Sequence, residues 1–160
     1  MINVGHLINI LKKNYCNFFS GVPDSILKEL SIYLKQNNKK HIIATNEGAA
    51  TSIGIGYYLA PKKLTCINLQ NSGLSNAINP LISIAHQKVY SIPLILIIGW
   101  RGSPRSKDEP QHMVKGKITL ELLKLLKIKF TILRETNDLK KFNKQIKIAR
   151  EKNRIVACLI

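Results

Sequence analysis

The amino-acid sequence predicts an α/β domain in which helices cover both faces of a six-stranded parallel sheet. Segments with apolar residues at helical spacing alternate with short β-branched runs along all 160 residues, which is the pattern of successive strand and helix units. The run PLILIIG at residues 93–99 is almost continuously apolar, as is typical of a central strand buried on both faces. We assign residues 1–160 to one three-layer α/β/α domain, since this length suits a single core.

The first half of the chain predicts three helices and two strands. They are a helix at 3–14, a strand at 16–20, a helix at 24–36, the strand HIIAT at 41–45 and a helix from Glu47 to Leu59. Apolar side chains spaced three and four residues apart mark the buried faces of the first two helices. These side chains are Val4, Leu7, Ile8 and Leu11 in the first helix, and Ile26, Leu27, Leu30 and Leu34 in the second.

The second half predicts four strands and three helices. They are a strand at 64–69, a helix at 74–87, a strand at 93–99, a helix at 119–127, a strand at 130–133, a helix at 138–152 and a strand at 155–160. Pro80 must bend or restart its helix, because proline has no amide hydrogen to donate. The stretch from Trp100 to Lys117 is rich in Gly, Pro and charge, so we expect a long loop there, of the kind that often carries function.

Charge is the unusual feature of the composition. The chain has 25 Lys and Arg against 9 Asp and Glu, a net charge of +16, which would suit a nucleic-acid partner or an anionic substrate. Most lysines fall singly or in pairs on predicted helices, however, and no nucleic-acid-binding motif is present. We therefore attribute the charge to a general lysine bias and rank nucleic-acid binding well below an enzymatic function.

Several classes of protein are disfavoured by the sequence. No apolar run reaches the roughly 18 residues that a membrane span needs, and the N-terminus lacks the pattern of a secretory signal, so we expect a cytoplasmic protein without a membrane partner. Cys16, Cys66 and Cys158 lie far apart, with no C-x-x-C spacing, and are expected to be free core thiols. The histidines show no metal-ligand spacing, and we predict no metal site on this chain.

Polar residues gather after the predicted strands, where open parallel sheets bind their ligands. The segments are SGVPDS, TNEG, QNSG and GWRGSPRSKDEPQH, and they contain four of the nine acids. One of these acids, Glu47, falls in the first turn of its helix, where the helix dipole alone favours a carboxylate by roughly 0.3–1 kcal/mol. The small residues that follow it in EGAATSIGIGYYLA nevertheless indicate a helix packed closely against another segment or a ligand.

Four segments together resemble the pyrimidine-binding domain of thiamine diphosphate enzymes. They are SGVPDSILKEL, ATNEGAATSIGIGYYLA, LQNSGLSNAINPL and IPLILIIGWRG, and they occur in the order of that family. GWRGSPRSKDEPQH followed by GKIT resembles phosphonopyruvate decarboxylases, with sulfopyruvate decarboxylase alpha subunits as the nearest relatives. The resemblance implies decarboxylation of 3-phosphonopyruvate to phosphonoacetaldehyde and carbon dioxide. Sulfopyruvate, also an anionic 2-oxo acid, stays open as the substrate.

The resemblance also implies which residues meet the cofactor. Glu47 would hydrogen-bond N1′ of the pyrimidine and favour the imino tautomer that deprotonates the thiazolium ring. A carboxylate suits this task because a charge-assisted bond is strong in a dry cleft. The other cofactor-binding residues that it implies are Gly21, Pro23, Gln70, Asn71, Ser72 and Asn76.

Two turns carry further catalytic candidates by the same resemblance. Asp24 and Ser25 are candidates for proton handling, and an ordinary helix cap is an equally good interpretation of both. Gln70 and Asn71 stand where some related decarboxylases carry histidine. Because neutral amides do not exchange protons at useful rates, this turn would orient the substrate, or it is a plain turn capped by Ser72.

The loop after residue 100 is the candidate for substrate recognition. Arg101 and Lys107, together with Asn71, are predicted to bind the substrate, since charge-assisted bonds from basic side chains suit a phosphonate. Arg105 lies where the resemblance is loose, and a solvent-exposed basic loop is the alternative. His112 is a candidate proton donor, because its reference pKa near 6.5 suits that work at neutral pH.

The resemblance further implies a partner. Enzymes of this family hold Mg²⁺ and the cofactor diphosphate on a second domain that carries a Gly-Asp-Gly motif, and this sequence contains no Gly-Asp-Gly. We therefore expect thiamine diphosphate and Mg²⁺ to be shared with a separate diphosphate-binding subunit, in an α₂β₂ assembly. A fragment, an inactive relative and a noncatalytic regulatory subunit are the alternatives.

Overall fold

The structure is a computed structural model that describes residues 2–37, 40–104 and 106–160. Six strands alternate with six helices. The strands are Phe18–Gly21 (β1), His41–Ile43 (β2), Thr65–Gln70 (β3), Leu94–Gly99 (β4), Lys129–Ile132 (β5) and Ile155–Leu159 (β6). The helices are Val4–Lys13 (α1), Lys28–Asn37 (α2), Glu47–Leu59 (α3), Leu74–Pro80 (α4), Pro110–Leu125 (α5) and Thr136–Lys152 (α6).

All strand pairs are parallel, and the strand order is β2-β1-β3-β4-β6-β5. The helices α1, α2 and α6 pack on one face of the sheet, and α3, α4 and α5 pack on the other. Along β4, Ile95 and Ile97 join the first core, whereas Leu94, Leu96 and Ile98 join the second. The prediction of a three-layer fold with a six-stranded parallel sheet and a doubly buried fourth strand is confirmed.

The chain changes helix type at Pro80, as predicted. A 3₁₀ turn at Asn71–Gly73 leads into α4, which ends at Pro80, and the chain continues as a π-helical segment at Leu81–Ala85. The missing amide hydrogen of the proline removes one helical hydrogen bond, so the ladder shifts there. The three cysteines are buried free thiols, as predicted.

The prediction of a loop from Trp100 to Lys117 is wrong in its second half. Helix α5 begins at Pro110, nine residues before the predicted start at 119, and proline is well suited to the first helical position. Gly116 lies inside this helix because it packs against Gly102, and a Cβ on Gly116 would meet the Gly102 carbonyl. The indole nitrogen of Trp100 donates to the Gly116 carbonyl at 3.0 Å, which fixes the loop on the helix.

Two boundaries in the first half also differ from the predictions. Helix α2 begins at Lys28 rather than at residue 24, because the Asp24 carboxylate caps the turn by accepting from the Leu27 amide at 3.2 Å. Ile26 therefore lies outside the helix and is 43% exposed instead of buried. The pairing of β2 ends at Ile43, where this short edge strand gives way to the turn before α3.

Among the helices that lie in the described ranges, none combines the length and the apolar character that a membrane crossing requires.

Substitution of two glycines by alanine is expected to have opposite effects on stability. Gly102 has a left-handed φ of +66°, and a Cβ there would meet the backbone of His112, so Gly102→Ala should lower the free energy of unfolding by roughly 2–4 kcal/mol. Gly56 lies in α3 with open space around it, so Gly56→Ala should raise the free energy of unfolding by about 0.5–1 kcal/mol. Urea unfolding measures both, and equal effects of the two changes would contradict the described packing of the loop on α5.

Candidate functional site

The carboxyl ends of four adjacent strands bring the predicted site residues to one edge of the sheet. Gly21 at the end of β1 is paired with Ile43 of β2 and with Asn68 of β3, while Gln70 is paired with Gly99 of β4. The segments that follow these strands contain the predicted site residues, so residues far apart in sequence share one surface. The order of the strands also reverses at β1, because β2 lies on one side of β1 and β3 lies on the other, and ligands bind at such a switch point in sheets of this kind.

Glu47 is the first residue of α3 and stands at this edge. The Asn46 side chain caps the helix by accepting from the Ala49 amide at 2.9 Å. Glu47 is half-buried, and its Oε2 accepts a hydrogen bond from Asn76 Nδ2 at 2.9 Å. Its Oε1 has no hydrogen-bond partner among the residues that the structure describes. The predicted pair of Glu47 and Asn76 is thus brought into direct contact, with one carboxylate oxygen left available.

Two glycines make the position of this carboxylate possible. A Cβ on Gly73 would meet the Glu47 carboxylate itself. A Cβ on Gly48 would lie 2.8 Å from the Asn76 carbonyl oxygen, closer than real Cβ contacts allow. The small residues that the sequence analysis singled out therefore serve, in part, to pack the start of α3 against the segment that leads into α4.

A second set of contacts joins Asp24, Gln70 and Ser72. Ser72 Oγ donates to Gln70 Oε1 at 2.5 Å, and Gln70 Nε2 donates to Asp24 Oδ1 at 2.8 Å. Because Asp24 Oδ2 also accepts from the Leu27 amide, Asp24 caps the turn that precedes α2, and a role in proton handling stays a prediction. Gly99 has no side chain to occupy the space that Asp24 Oδ2 takes up.

Three other predicted residues of the first turn differ in exposure. Ser25 and Pro23 are exposed, whereas Gly21 is buried. A Cβ on Gly21 would meet both the backbone and the side chain of Asn68 on the neighbouring strand. Gly21 is thus explained by packing within the sheet, and its contact with the cofactor stays a prediction.

Asn71 is buried and connects two segments. Its Nδ2 donates to the Arg101 carbonyl at 3.0 Å and to Thr119 Oγ1 at 2.9 Å, and its Oδ1 accepts from the Arg101 amide at 3.1 Å. Both amide hydrogens are therefore in use within the chain. Thr119 is itself 2% exposed and was missed by sequence reasoning, since its partner lies 48 residues away.

Arg101 is held by a carboxylate from its own loop. Its Nε donates to Asp108 Oδ2 at 2.9 Å and its Nη2 donates to Asp108 Oδ1. The same carboxylate accepts from the amides of Gly102 and Glu109 at 3.2 and 2.9 Å. The hydrogen bond from Arg101 holds the pKa of Asp108 well below its ordinary range, and the Asp108 carboxylate in turn raises the pKa of Arg101. No sequence pattern pointed to this pair.

The remaining loop candidates are placed differently. Lys107 is exposed, and His112 is half-buried on the first turn of α5. Nδ1 of His112 is buried without a hydrogen-bond partner in the described part of the chain. Arg105 lies outside the described residues. Substrate binding by Arg101 and Lys107 and proton donation by His112 stay predictions.

Neutralising Asp108 is expected to loosen this loop in a pH-dependent manner. Because the folded-state pKa of Asp108 is lowered, its contribution to stability is fully present above the ordinary value near 3.8 and is lost as the pH falls toward the folded-state value. Asp108→Asn should therefore lower the free energy of unfolding by the same amount at pH 7 and pH 5.5, and by less at pH 3.5. Urea unfolding at the three pH values measures the difference.

Glu109→Gln is the matched control, because Glu109 is the exposed neighbouring acid and its side chain has no hydrogen bond recorded within the described ranges. A loss of stability for Glu109→Gln as large as that for Asp108→Asn would contradict the assigned role of the pair with Arg101.

Comparison of the sequence with known proteins identifies the family of this chain. Residues 3–122 match the family described as thiamine pyrophosphate enzyme, N-terminal TPP binding domain. The chain is 38% identical over 120 residues to a phosphonopyruvate decarboxylase of Streptomyces viridochromogenes. The aligned region covers 74% of this chain and 30% of that protein.

Two further relatives are named as subunits. The chain is 36% identical over 115 residues to the sulfopyruvate decarboxylase subunit alpha of Methanococcus maripaludis, covering 71% of this chain and 66% of the relative. It is 37% identical over 123 residues to the corresponding subunit of Methanocaldococcus jannaschii, and the aligned region covers 76% of this chain and 70% of that subunit. The predicted resemblance is confirmed, and the chain belongs to the family of N-terminal cofactor-binding domains of thiamine pyrophosphate enzymes.

Proposed function

We propose that this chain is the pyrimidine-binding part of a thiamine diphosphate-dependent decarboxylase that converts 3-phosphonopyruvate to phosphonoacetaldehyde and carbon dioxide. The observation that carries the proposal is the Glu47 carboxylate, which stands at the carboxyl edge of the sheet with one oxygen bonded to Asn76 and the other available. The similarity to phosphonopyruvate decarboxylases supports the substrate class.

The residues around Glu47 fit the cofactor that the family implies. A protonated ring nitrogen needs an ionised acceptor in a partly dry site, and Glu47 Oε1 is such an acceptor. Gly73 leaves room for this carboxylate, because a side chain there would take its place. Asn76 holds the other oxygen and so limits the rotation of the side chain.

Thiamine diphosphate, when bound, supplies the electron sink that accepts the electron pair released as carbon dioxide leaves a 2-oxo acid. The residues of this chain bind, orient and move protons around it. Glu47 holds a proton at the ring nitrogen through a charge-assisted bond. The hydrogen bonds of Gln70 to Asp24 and Ser72 fix the Asp24 carboxylate at the same edge, where it can exchange a proton with the substrate.

Arg101 and Lys107 are the proposed ligands of the phosphonate. A guanidinium has five N–H donors, and the two hydrogen bonds to Asp108 leave three of them available to a substrate oxygen. Asp108 therefore does not prevent Arg101 from binding an anion, and it holds the guanidinium in one orientation. Lys107 adds a further positive charge from the exposed part of the loop.

A second polypeptide is proposed to complete the site. The chain spans 30% of the phosphonopyruvate decarboxylase length, and the sulfopyruvate decarboxylase relatives are named as alpha subunits. We propose that a separate diphosphate-binding subunit supplies Mg²⁺ and binds the cofactor diphosphate, in an α₂β₂ assembly. Tight binding of thiamine diphosphate and Mg²⁺ by the isolated chain would contradict this division.

Decarboxylation of 3-sulfopyruvate is the second candidate function. The specific observation in its favour is that the chain covers about two thirds of the sulfopyruvate decarboxylase alpha subunits at 36–37% identity. Release of carbon dioxide from each substrate by the chain reconstituted with its partner subunit distinguishes the two, since the preferred substrate should show the higher kcat/KM.

Glu47→Gln in the reconstituted enzyme is expected to lower kcat by about 10²–10⁴-fold, because an amide cannot hold the ring proton as a carboxylate does. Glu29→Gln is the matched control, since Glu29 is the acid in the first turn of α2 and shares the helix-dipole environment of Glu47. Carbon dioxide release measures both. Near-normal activity of Glu47→Gln, with cofactor bound, would refute the proposed role.

Lys107→Ala is expected to raise KM for the anionic substrate by about tenfold with a smaller change in kcat, because a charge-assisted contact is lost from binding. Lys117→Ala removes the same charge from an exposed position on α5 and should leave KM unchanged. Equal values of KM in the two variants would assign Lys107 to the exposed basic loop of the alternative interpretation.

A further inference from the structure

A groove of about 320 Å³ lies at the amino ends of β5 and β6, opposite the edge that carries Glu47. It is formed where α5 passes into β5 and where α6 passes into β6. Its volume falls at the lower end of the range found for small-molecule sites. The lysines around this groove were attributed above to a general lysine bias, and the proposed function does not use them.

Four cations line this groove: Lys127, Lys129, Lys152 and Arg154. No acidic residue is among the described residues that line it. The ion pairs recorded in the described ranges are Arg101 with Asp108 and Lys124 with Glu121, so none of the four is neutralised there by a carboxylate. Four like charges around one concave surface favour the binding of an anion.

Helix dipoles explain part of this cluster. Lys152 is the last residue of α6, and Lys127 follows the end of α5 by two residues; a cation near a helix carboxyl end is favoured by roughly 0.3–1 kcal/mol. Lys129 begins β5 and Arg154 directly precedes β6, so both lie beyond the helix ends. Their convergence on the same groove is therefore not explained by the dipoles.

The lining of the groove also has an aliphatic part, which we call the aliphatic floor, beside the polar residues His86, Gln87 and Gln145. Leu126, Ile128 and Ile155 contribute to this floor, together with Ile148, which is 38% exposed. No Phe, Tyr or Trp is among the described lining residues, and the ring that lines the groove is the imidazole of His86. An aliphatic floor with a cationic rim is complementary to a molecule that joins an alkyl or acyl chain to a phosphate.

We propose that this groove binds a small alkyl or acyl phosphate, with the phosphate at Lys129 and Arg154 and the chain on Ile128, Ile148 and Ile155. The limited volume favours a soluble molecule over an extended polyanion, which would contact the open lysine-rich surface instead. The proposal is independent of the decarboxylase function, because none of its residues lies at the carboxyl edge of the sheet.

Titration of the full chain with hexyl phosphate tests the proposal. Binding is measured by calorimetry and by the NMR methyl signals of labelled isoleucines. Saturable binding is expected, with shifts at Ile128, Ile148 and Ile155 and none at Ile43. Inorganic phosphate and hexanol should each bind at least about tenfold more weakly, because each provides one of the two complementary parts.

The double change Lys129→Ala with Arg154→Ala is expected to weaken binding by at least about tenfold, since two charge-assisted bonds are lost. Lys140→Ala with Lys144→Ala removes the same charge from exposed positions of α6 outside the groove and should leave the affinity unchanged. Lys127→Ala with Lys152→Ala provides a second rim variant, and circular dichroism establishes that each variant is folded.

Equal loss of affinity in the groove variant and the control variant would overturn the proposal, as it would show nonspecific attraction by net charge. Binding of inorganic phosphate as tightly as hexyl phosphate would overturn the assignment of the aliphatic floor. Binding to phosphatidic acid vesicles without binding to free hexyl phosphate would overturn the choice of a soluble ligand.

Discussion

The parallel direction of all six strands is the constraint on which the rest of the structure depends. Each strand must be followed by a crossover helix, so every carboxyl end lies at the same edge of the sheet. The chain therefore brings Asp24, Glu47, Gln70 and Arg101, which are 77 positions apart from first to last, to the carboxyl ends of neighbouring strands. The helices cover the two faces of the sheet, and the segments that follow the strands form this edge.

Hydrogen bonds within the chain then determine how the edge is arranged. Asn71 connects the end of β3 to the backbone after β4 and to Thr119 on α5, and Asp108 holds Arg101 together with two loop amides. These contacts use polar groups that would otherwise be costly to bury. The orientation of Asn71, Arg101 and Asp108 is therefore fixed by hydrogen bonds within the chain itself.

The periodicity of apolar residues predicted the six strands, most of the helices and the edge of the sheet at which the candidate residues gather. The start of α5 was mispredicted because Gly116 and Pro110 are loop residues by composition. Pro110 is well suited to the first helical position, and the helix accepts Gly116 through its close contact with Gly102. Thr119 was missed because its partner Asn71 lies 48 residues away in the sequence. Asp108 was missed because its partner Arg101 lies seven residues away in an irregular loop, which has no periodic pattern from which the pair could be read.

Trp100 is the single tryptophan of the chain. Its indole connects the end of β4 to the middle of α5. It is 7% exposed and directly precedes Arg101 and Gly102. Any rearrangement that separates the loop from the helix must break the bond to Gly116 and admit water to the ring. The tryptophan fluorescence of this protein is therefore a label-free optical reporter of the state of one segment, the segment that carries Arg101 and Lys107.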